Sequence, residues 1–90
     1  MMLLHIIFAG RVQGVGFRKF VKKKADEFGV KGFVRNLPDG TVEVLAEGDE
    51  ETLKSFFDAI ENGPPLAEVN GIRYEFMEKD GGFDEFKIEY

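Results

Sequence analysis

The chain has 90 residues, a formal net charge of −5 and no cysteine, so we expect one domain over residues 1–90 with a single two-layer core. The lack of cysteine excludes disulfides, thiolate metal sites and a cysteine nucleophile. The apolar amino terminus has no basic region or small-residue cleavage site, and no apolar run approaches the roughly 20 residues that span a bilayer. We therefore expect a cytoplasmic protein without a membrane partner.

Charge is distributed unevenly along the chain. Residues 1–36 carry a balance of +6, whereas residues 37–90 carry −11. A basic first part in an acidic molecule predicts attraction of small anions and repulsion of long polyanions, including nucleic acids.

The first predicted strand and helix are joined by a glycine-rich loop. Leu3–Ala9 is an almost unbroken apolar run of strand length. Phe17–Phe28 has apolar residues at helical spacing, and Gly29 is placed to end this helix. The segment between them holds three glycines and no Ser, Thr, Asp or Asn to cap the helix.

The helix start predicts a bound oxyanion. Arg18 and Lys19 stand in the first turn, where the helix dipole favours negative side chains. A turn of free N–H groups beside two cations is completed by a phosphate or a similar anion. The predicted phosphate-binding residues are Gln13, Gly14, Val15, Gly16, Phe17 and Arg18.

The rest of the chain predicts three strands, one helix and a further short strand at the carboxyl terminus. They are a hairpin of strands at 30–37 and 41–47, a helix capped by Asp49, and strands at 72–77 and 86–90. The order β-α-β-β-α-β plus a short strand predicts an α+β fold, the ferredoxin-like split β-α-β sandwich. We expect an antiparallel sheet of strand order 4-1-3-2 with both helices on one face. Ten phenylalanines are expected to fill the layer between them.

Asn36 ends the second predicted strand. Strands one and two run parallel, so their carboxyl ends meet the same sheet edge with one strand between them, about 9–10 Å apart. That gap accommodates a phosphoryl group and a water between the loop and the Asn36 amide. Asn is a poor strand residue, but it also favours turn starts. Spacing alone leaves both interpretations open.

These segments resemble the two signatures of the acylphosphatase family. The first is the run from Gly10 to Arg18, and the second begins at Gly32–Asn36 and continues through glycines at 40 and 48. The resemblance covers essentially the whole chain and implies hydrolysis of a small acyl phosphate to a carboxylate and inorganic phosphate. It implies that Arg18 binds the phosphoryl group and that Asn36 orients the attacking water, making both catalytic.

A low Asn and Gln content with 32% charged residues is also typical of heat-adapted proteins.

No metal or cofactor is predicted, because no cluster of His, Asp and Glu accompanies the motifs. His5 stands mid-strand and is interpreted as structural. Two alternatives remain: an anion-binding or regulatory module without turnover, and an RNA-binding domain of the same topology, faintly suggested by residues 31–34. We expect a monomer, and nothing in the motifs identifies the acyl group.

Overall fold

Five strands and two helices, in the predicted order, make up the structure, a computed structural model that describes all 90 residues. The elements are β1 (Met2–Arg11), α1 (Phe17–Phe28), β2 (Lys31–Asn36), β3 (Val42–Gly48), α2 (Glu50–Ile60), β4 (Glu68–Met77) and β5 (Phe86–Glu89). Neither helix has the length and apolar character needed to cross a bilayer.

The strands form one sheet of order β4-β1-β3-β2-β5. The ferredoxin-like order 4-1-3-2 is confirmed, and those four strands pair antiparallel. The expected antiparallel pairing does not extend to the short strand β5, which pairs with β2 in parallel and makes the sheet mixed. The reason is topological, because β4 is antiparallel to β1 and the chain reverses direction after β4. Strand β5 therefore runs in the same direction as β1 and β2.

Helix α1 begins and ends where the sequence predicts. Gly16 at its N-cap and Gly29 at its C-cap are both left-handed, with φ of 80° and 73°, a conformation that glycine adopts at little cost. Helix α2 begins differently, since the Asp49 carboxylate accepts a hydrogen bond from the Thr52 N–H at 2.9 Å. That bond is the predicted N-cap.

The core between helices and sheet contains only apolar residues. Phe8 of β1 and Phe17 of α1 pack with ring centroids 4.8 Å apart, so the start of α1 is anchored on the sheet. Phe33 and Phe83 depart from the expectation that the phenylalanines fill this layer. They pack edge to face against each other, 6.1 Å between centroids, and neither belongs to the core cluster.

Strand β1 extends past its predicted end, and Gly10 explains how. Residues 10 and 11 pair with Val69 and Glu68 after a register shift at Ala9, so β4 begins four residues before the predicted Ile72. At Gly10, where φ is 121°, a Cβ would lie 2.2 Å from the Glu68 carbonyl oxygen. Only glycine permits this approach, which determines where the following loop leaves the sheet.

Candidate active site

A cleft of about 390 Å³ lies at the carboxyl ends of β1 and β2. It is lined by Val12, Gly14, Gly16, Phe17, Arg18, Lys19, Asn36 and Tyr90. The fold thus brings together five of the predicted site residues from two separate motifs. As expected, only β3 lies between the two strands that carry them.

The loop presents a series of backbone donors. None of the N–H groups of residues 13–19 donates to a backbone carbonyl, and the first bond of α1 runs from the Phe20 N–H to the Gly16 carbonyl at 3.1 Å. No side chain caps this end of the helix, and its first turn contains no acidic residue. Unpaired N–H groups at the positive end of a helix dipole favour an anionic ligand.

Arg18 is half-buried and forms no ion pair with a carboxylate of the chain. Its guanidinium carbon lies 4.7 Å from the centroid of the Tyr90 ring. The Arg18 guanidinium forms no hydrogen bond within the chain, so its N–H donors are available beside this ring.

Asn36 is the last residue of β2, half-buried on the opposite side of the cleft. The hydrogen bonds of the following turn come from other residues. Asp39 accepts from the Thr41 N–H at 3.0 Å and from its hydroxyl at 2.6 Å, and the Gly40 N–H donates to the Leu37 carbonyl at 3.1 Å. The Asn36 amide contributes none of these bonds, which favours the interpretation that it serves the cleft.

Gln13 and Val15 do not line the cleft. The Gln13 Nε2 donates to the carbonyls of Leu37 and Thr41, both at 2.9 Å, and the Val15 side chain packs into the core with 9% exposure. For these two residues the predicted phosphate binding therefore concerns the backbone N–H groups alone, since neither side chain lines the cleft.

Three lining residues, Val12, Lys19 and Tyr90, were not among the predicted site residues, and of these Tyr90 lies far from both motifs in the sequence. Its side chain is 94% exposed, and it follows Glu89, the register partner of Arg35. Tyr90 therefore stands level with Asn36, one strand further out. The aromatic residue at the carboxyl end is visible in the sequence, but the pairing of β5 with β2 that carries it to Arg18 is not.

The only histidine lies away from the cleft, in a charged row across the sheet. His5 Nε2 is 2.7 Å from a Glu43 carboxylate oxygen, and the Arg35 Nε donates to the other at 2.6 Å. Arg35 also pairs with Glu89 at 3.7 Å. Burial raises the pKa of Glu43, but the hydrogen bonds from His5 and Arg35 outweigh burial and hold that pKa below its ordinary value. These contacts indicate a structural role for His5 and Arg35.

No three His, Cys, Asp or Glu side chains lie close enough together to hold a metal ion. Nor do Arg11 and Arg73 line the cleft. The charged groups at the site are therefore Arg18 and Lys19, both cationic.

Fold and cleft together define a small ferredoxin-like α+β protein with an anion-binding type of loop at one sheet edge. The Acylphosphatase family model matches residues 4–88. An acylphosphatase of Bacillus licheniformis is 49% identical over 90 residues, 100% of both chains. The crystal structure of Bacillus subtilis acylphosphatase superimposes with a TM-score of 0.96 at 46% identity, again over 100% of both chains. The chain belongs to the acylphosphatase family and is an acyl phosphate hydrolase, which confirms the family resemblance and the activity that it implied.

The same fold also occurs inside a larger protein. T. kodakarensis HypF contains a segment that matches 99% of this chain at 37% identity and a TM-score of 0.83, but the match covers only 12% of that protein.

Proposed function

We propose that the chain cleaves the carboxyl–phosphate bond by direct attack of water on a phosphoryl group. The backbone N–H groups of residues 13–18 and the Arg18 guanidinium hold the phosphoryl oxygens, and the Asn36 amide orients the water. The observation that carries this proposal is that loop residues whose N–H groups have no backbone acceptor line the same cleft as Arg18 and Asn36.

The reaction needs little more than this arrangement. The water oxygen forms a bond to phosphorus while the bond from phosphorus to the acyl oxygen breaks. The electron pair of that bond leaves with the carboxylate, and the proton of the water passes to the phosphate product or to solvent. A loose phosphoryl-transfer transition state with a good leaving group requires alignment and charge balance more than a strong base.

Arg18 and Asn36 have separate tasks in this mechanism. Arg18 supplies a permanently charged, planar fork that matches phosphoryl oxygens, and Lys19 adds positive charge at the mouth of the cleft. Asn36 holds a water through either its carbonyl oxygen or its NH₂ group. Binding therefore depends on the loop and Arg18, and turnover depends additionally on Asn36.

We further propose that the enzyme works in the cytoplasm as a monomer, without a metal, a cofactor, a membrane or a nucleic-acid partner. The chain encloses its own apolar core of 17 buried residues, which supports a monomer, and the acidic balance of residues 37–90 opposes a polyanion. Sedimentation at assay concentrations tests the monomer. Salt-dependent binding of single-stranded RNA in the micromolar range would contradict the proposed absence of a nucleic-acid partner.

The test is phosphate release from benzoyl phosphate and acetyl phosphate by three proteins. Arg18→Ala should lose both phosphate inhibition and turnover, the latter by about 100-fold or more, the usual effect of removing a preorganised donor. Asn36→Ala should lose kcat and retain competitive inhibition by phosphate. Lys23→Ala, an exposed cation of the same helix outside the cleft, is the matched control and should behave as wild type.

Two results would contradict the mechanism. One is a near wild-type rate for Arg18→Ala, which would remove Arg18 from the site. The other is an Asn36→Ala variant with a lower Tm and an unchanged kcat, which would restore the view that Asn36 only forms a turn.

A further inference from the structure

The Gln13 side chain connects the loop to the β2–β3 hairpin. Its Nε2 donates one hydrogen to the Leu37 carbonyl and the other to the Thr41 carbonyl, at 2.9 Å each, across 24 and 28 positions of sequence. Both amide hydrogens are therefore used, and Gln13 is half-buried where it makes these bonds.

These two carbonyls form the base of the hairpin. The Leu37 carbonyl also accepts from the Gly40 N–H at 3.1 Å, and the Thr41 carbonyl accepts from the Leu37 N–H at 2.9 Å. Gln13 thus occupies the second acceptor site of each of these two carbonyls. The contact lies one residue beyond Asn36, the last residue of β2.

We propose that Gln13 is a positioning residue that sets the distance and orientation between the phosphate-binding loop and the Asn36 amide. The inference rests on the proposed function, because it assigns Gln13 a task in aligning water with the phosphoryl group. Strand β3 separates β1 from β2, so no ladder bond joins the two sides of the cleft directly. Residues 12–16 belong to no helix or strand, and the two Gln13 bonds are the side-chain hydrogen bonds that link this loop to the hairpin.

The expected effect falls on turnover more than on binding. The loop donors and Arg18 stay on one side of the cleft when the Gln13 bonds are lost, so the phosphoryl group still binds. The water held by Asn36 loses its alignment with phosphorus, and a misplacement of about 1 Å costs roughly 100-fold in rate. A looser loop samples the aligned state part of the time, so we expect kcat to fall about 10-fold or more.

A double-mutant cycle tests this role. Gln13→Met keeps the length of the side chain and removes both donors, and Gln13→Asn keeps the amide but is too short to reach the hairpin. Both substitutions are made in the wild type and in the Asn36→Ala variant. Circular dichroism first shows that every variant is folded. The values of kcat, KM and the inhibition constant of phosphate are then measured for each. Asp49→Ala, which removes the N-cap bond of α2 away from the cleft, is the control for lost stability and should keep the wild-type kcat.

Positioning through Asn36 predicts a non-additive result. Both Gln13 substitutions should lower kcat in the wild type, leave the phosphate inhibition constant within about 2-fold, and change kcat by less than about 2-fold in Asn36→Ala. Equal losses in both backgrounds would overturn the inference while leaving the proposed function intact. Weakened phosphate inhibition would also overturn it, since Gln13 would then shape the anion site itself. A wild-type kcat for Asn36→Ala alone would instead refute the proposed function.

Discussion

The guanidinium of Arg18 stacks on the ring of Tyr90, with 4.7 Å between the guanidinium carbon and the ring centroid. The two residues are 72 positions apart, and the contact depends on β5 lying beside β2. Arg18 forms no ion pair with a carboxylate of the chain. The Tyr90 ring is the group that its guanidinium contacts. The contact thus brings a residue from outside both sequence motifs to the side of Arg18.

Removing the Tyr90 ring should weaken phosphate binding without unfolding the protein. An exposed cation–π contact contributes about 0.5–1 kcal/mol, so Tyr90→Ala should raise the inhibition constant of phosphate about 2- to 5-fold. Tm should stay unchanged, because the Tyr90 side chain is 94% exposed. Tyr90→Phe keeps the ring and should behave as wild type. If both variants weaken inhibition equally, the hydroxyl and not the ring is responsible.

Gly16 and Gly29 provide a matched pair at the two ends of α1. Both are left-handed, and at neither would a Cβ meet another atom within 4 Å. Alanine should therefore destabilise either site by about 1–2 kcal/mol through backbone strain alone. Only Gly16→Ala should also reduce kcat/KM, because residue 16 lines the cleft and its conformation aims the loop donors. Thermal unfolding and phosphate release, measured on both variants, check this, and equal activity losses would contradict it.

The Glu43 carboxylate should make stability depend on acid pH. The hydrogen bonds from His5 and Arg35 outweigh the effect of burial, and the pKa of Glu43 lies below its ordinary value of 4.5. A depressed carboxyl pKa stabilises the fold above the unfolded value, and this contribution is lost as pH falls through the folded value. Glu43→Gln should therefore lower the free energy of unfolding at pH 7 by about 1 kcal/mol, allowing for partial exposure. That corresponds to about 4–8 °C in Tm.

The measurement for Glu43 is Tm against pH for wild type and Glu43→Gln. The two curves should converge below pH 4.5, where the wild type loses its advantage. Glu78→Gln, which removes an exposed carboxylate outside the ion pairs, should track the wild type throughout. Curves that stay parallel down to low pH would show that Glu43 is not the group responsible.

Chelation should leave the activity unchanged. The cleft contains two cationic side chains and no carboxylate or histidine, so it offers no ligand set for a metal ion. Dialysis against EDTA followed by a phosphate-release assay should give the rate of the untreated enzyme, and added Mg²⁺ should not raise it. Loss of activity on chelation, restored by metal, would refute the metal-independent mechanism.

Features encoded by neighbouring residues could be predicted from the sequence. Helix α1 runs from Phe17 to Phe28 as its apolar spacing and flanking glycines indicate, and Asp49 caps α2. The order of the predicted elements, β-α-β-β-α-β, also predicted the order of the first four strands in the sheet. The sequence pattern predicts a β4 that begins only at Ile72, because Asn70 and Gly71 are poor strand residues. In the structure, pairing with the extended end of β1 overrides that preference.

The amino-acid sequence by itself determined the glycine-rich loop before α1, the uncapped start of that helix and the place of Arg18 in its first turn, because glycine conformation and helix capping are local properties. Spacing alone left the role of Asn36 open, and the family resemblance supplied its expected task. Only the tertiary structure decided that the Gln13 amide reaches the hairpin and that Tyr90 stacks on Arg18. Those contacts join residues far apart in the chain. Their formation depends on which strand edge β5 occupies and on how loop and hairpin meet, and this follows from packing of the whole sheet.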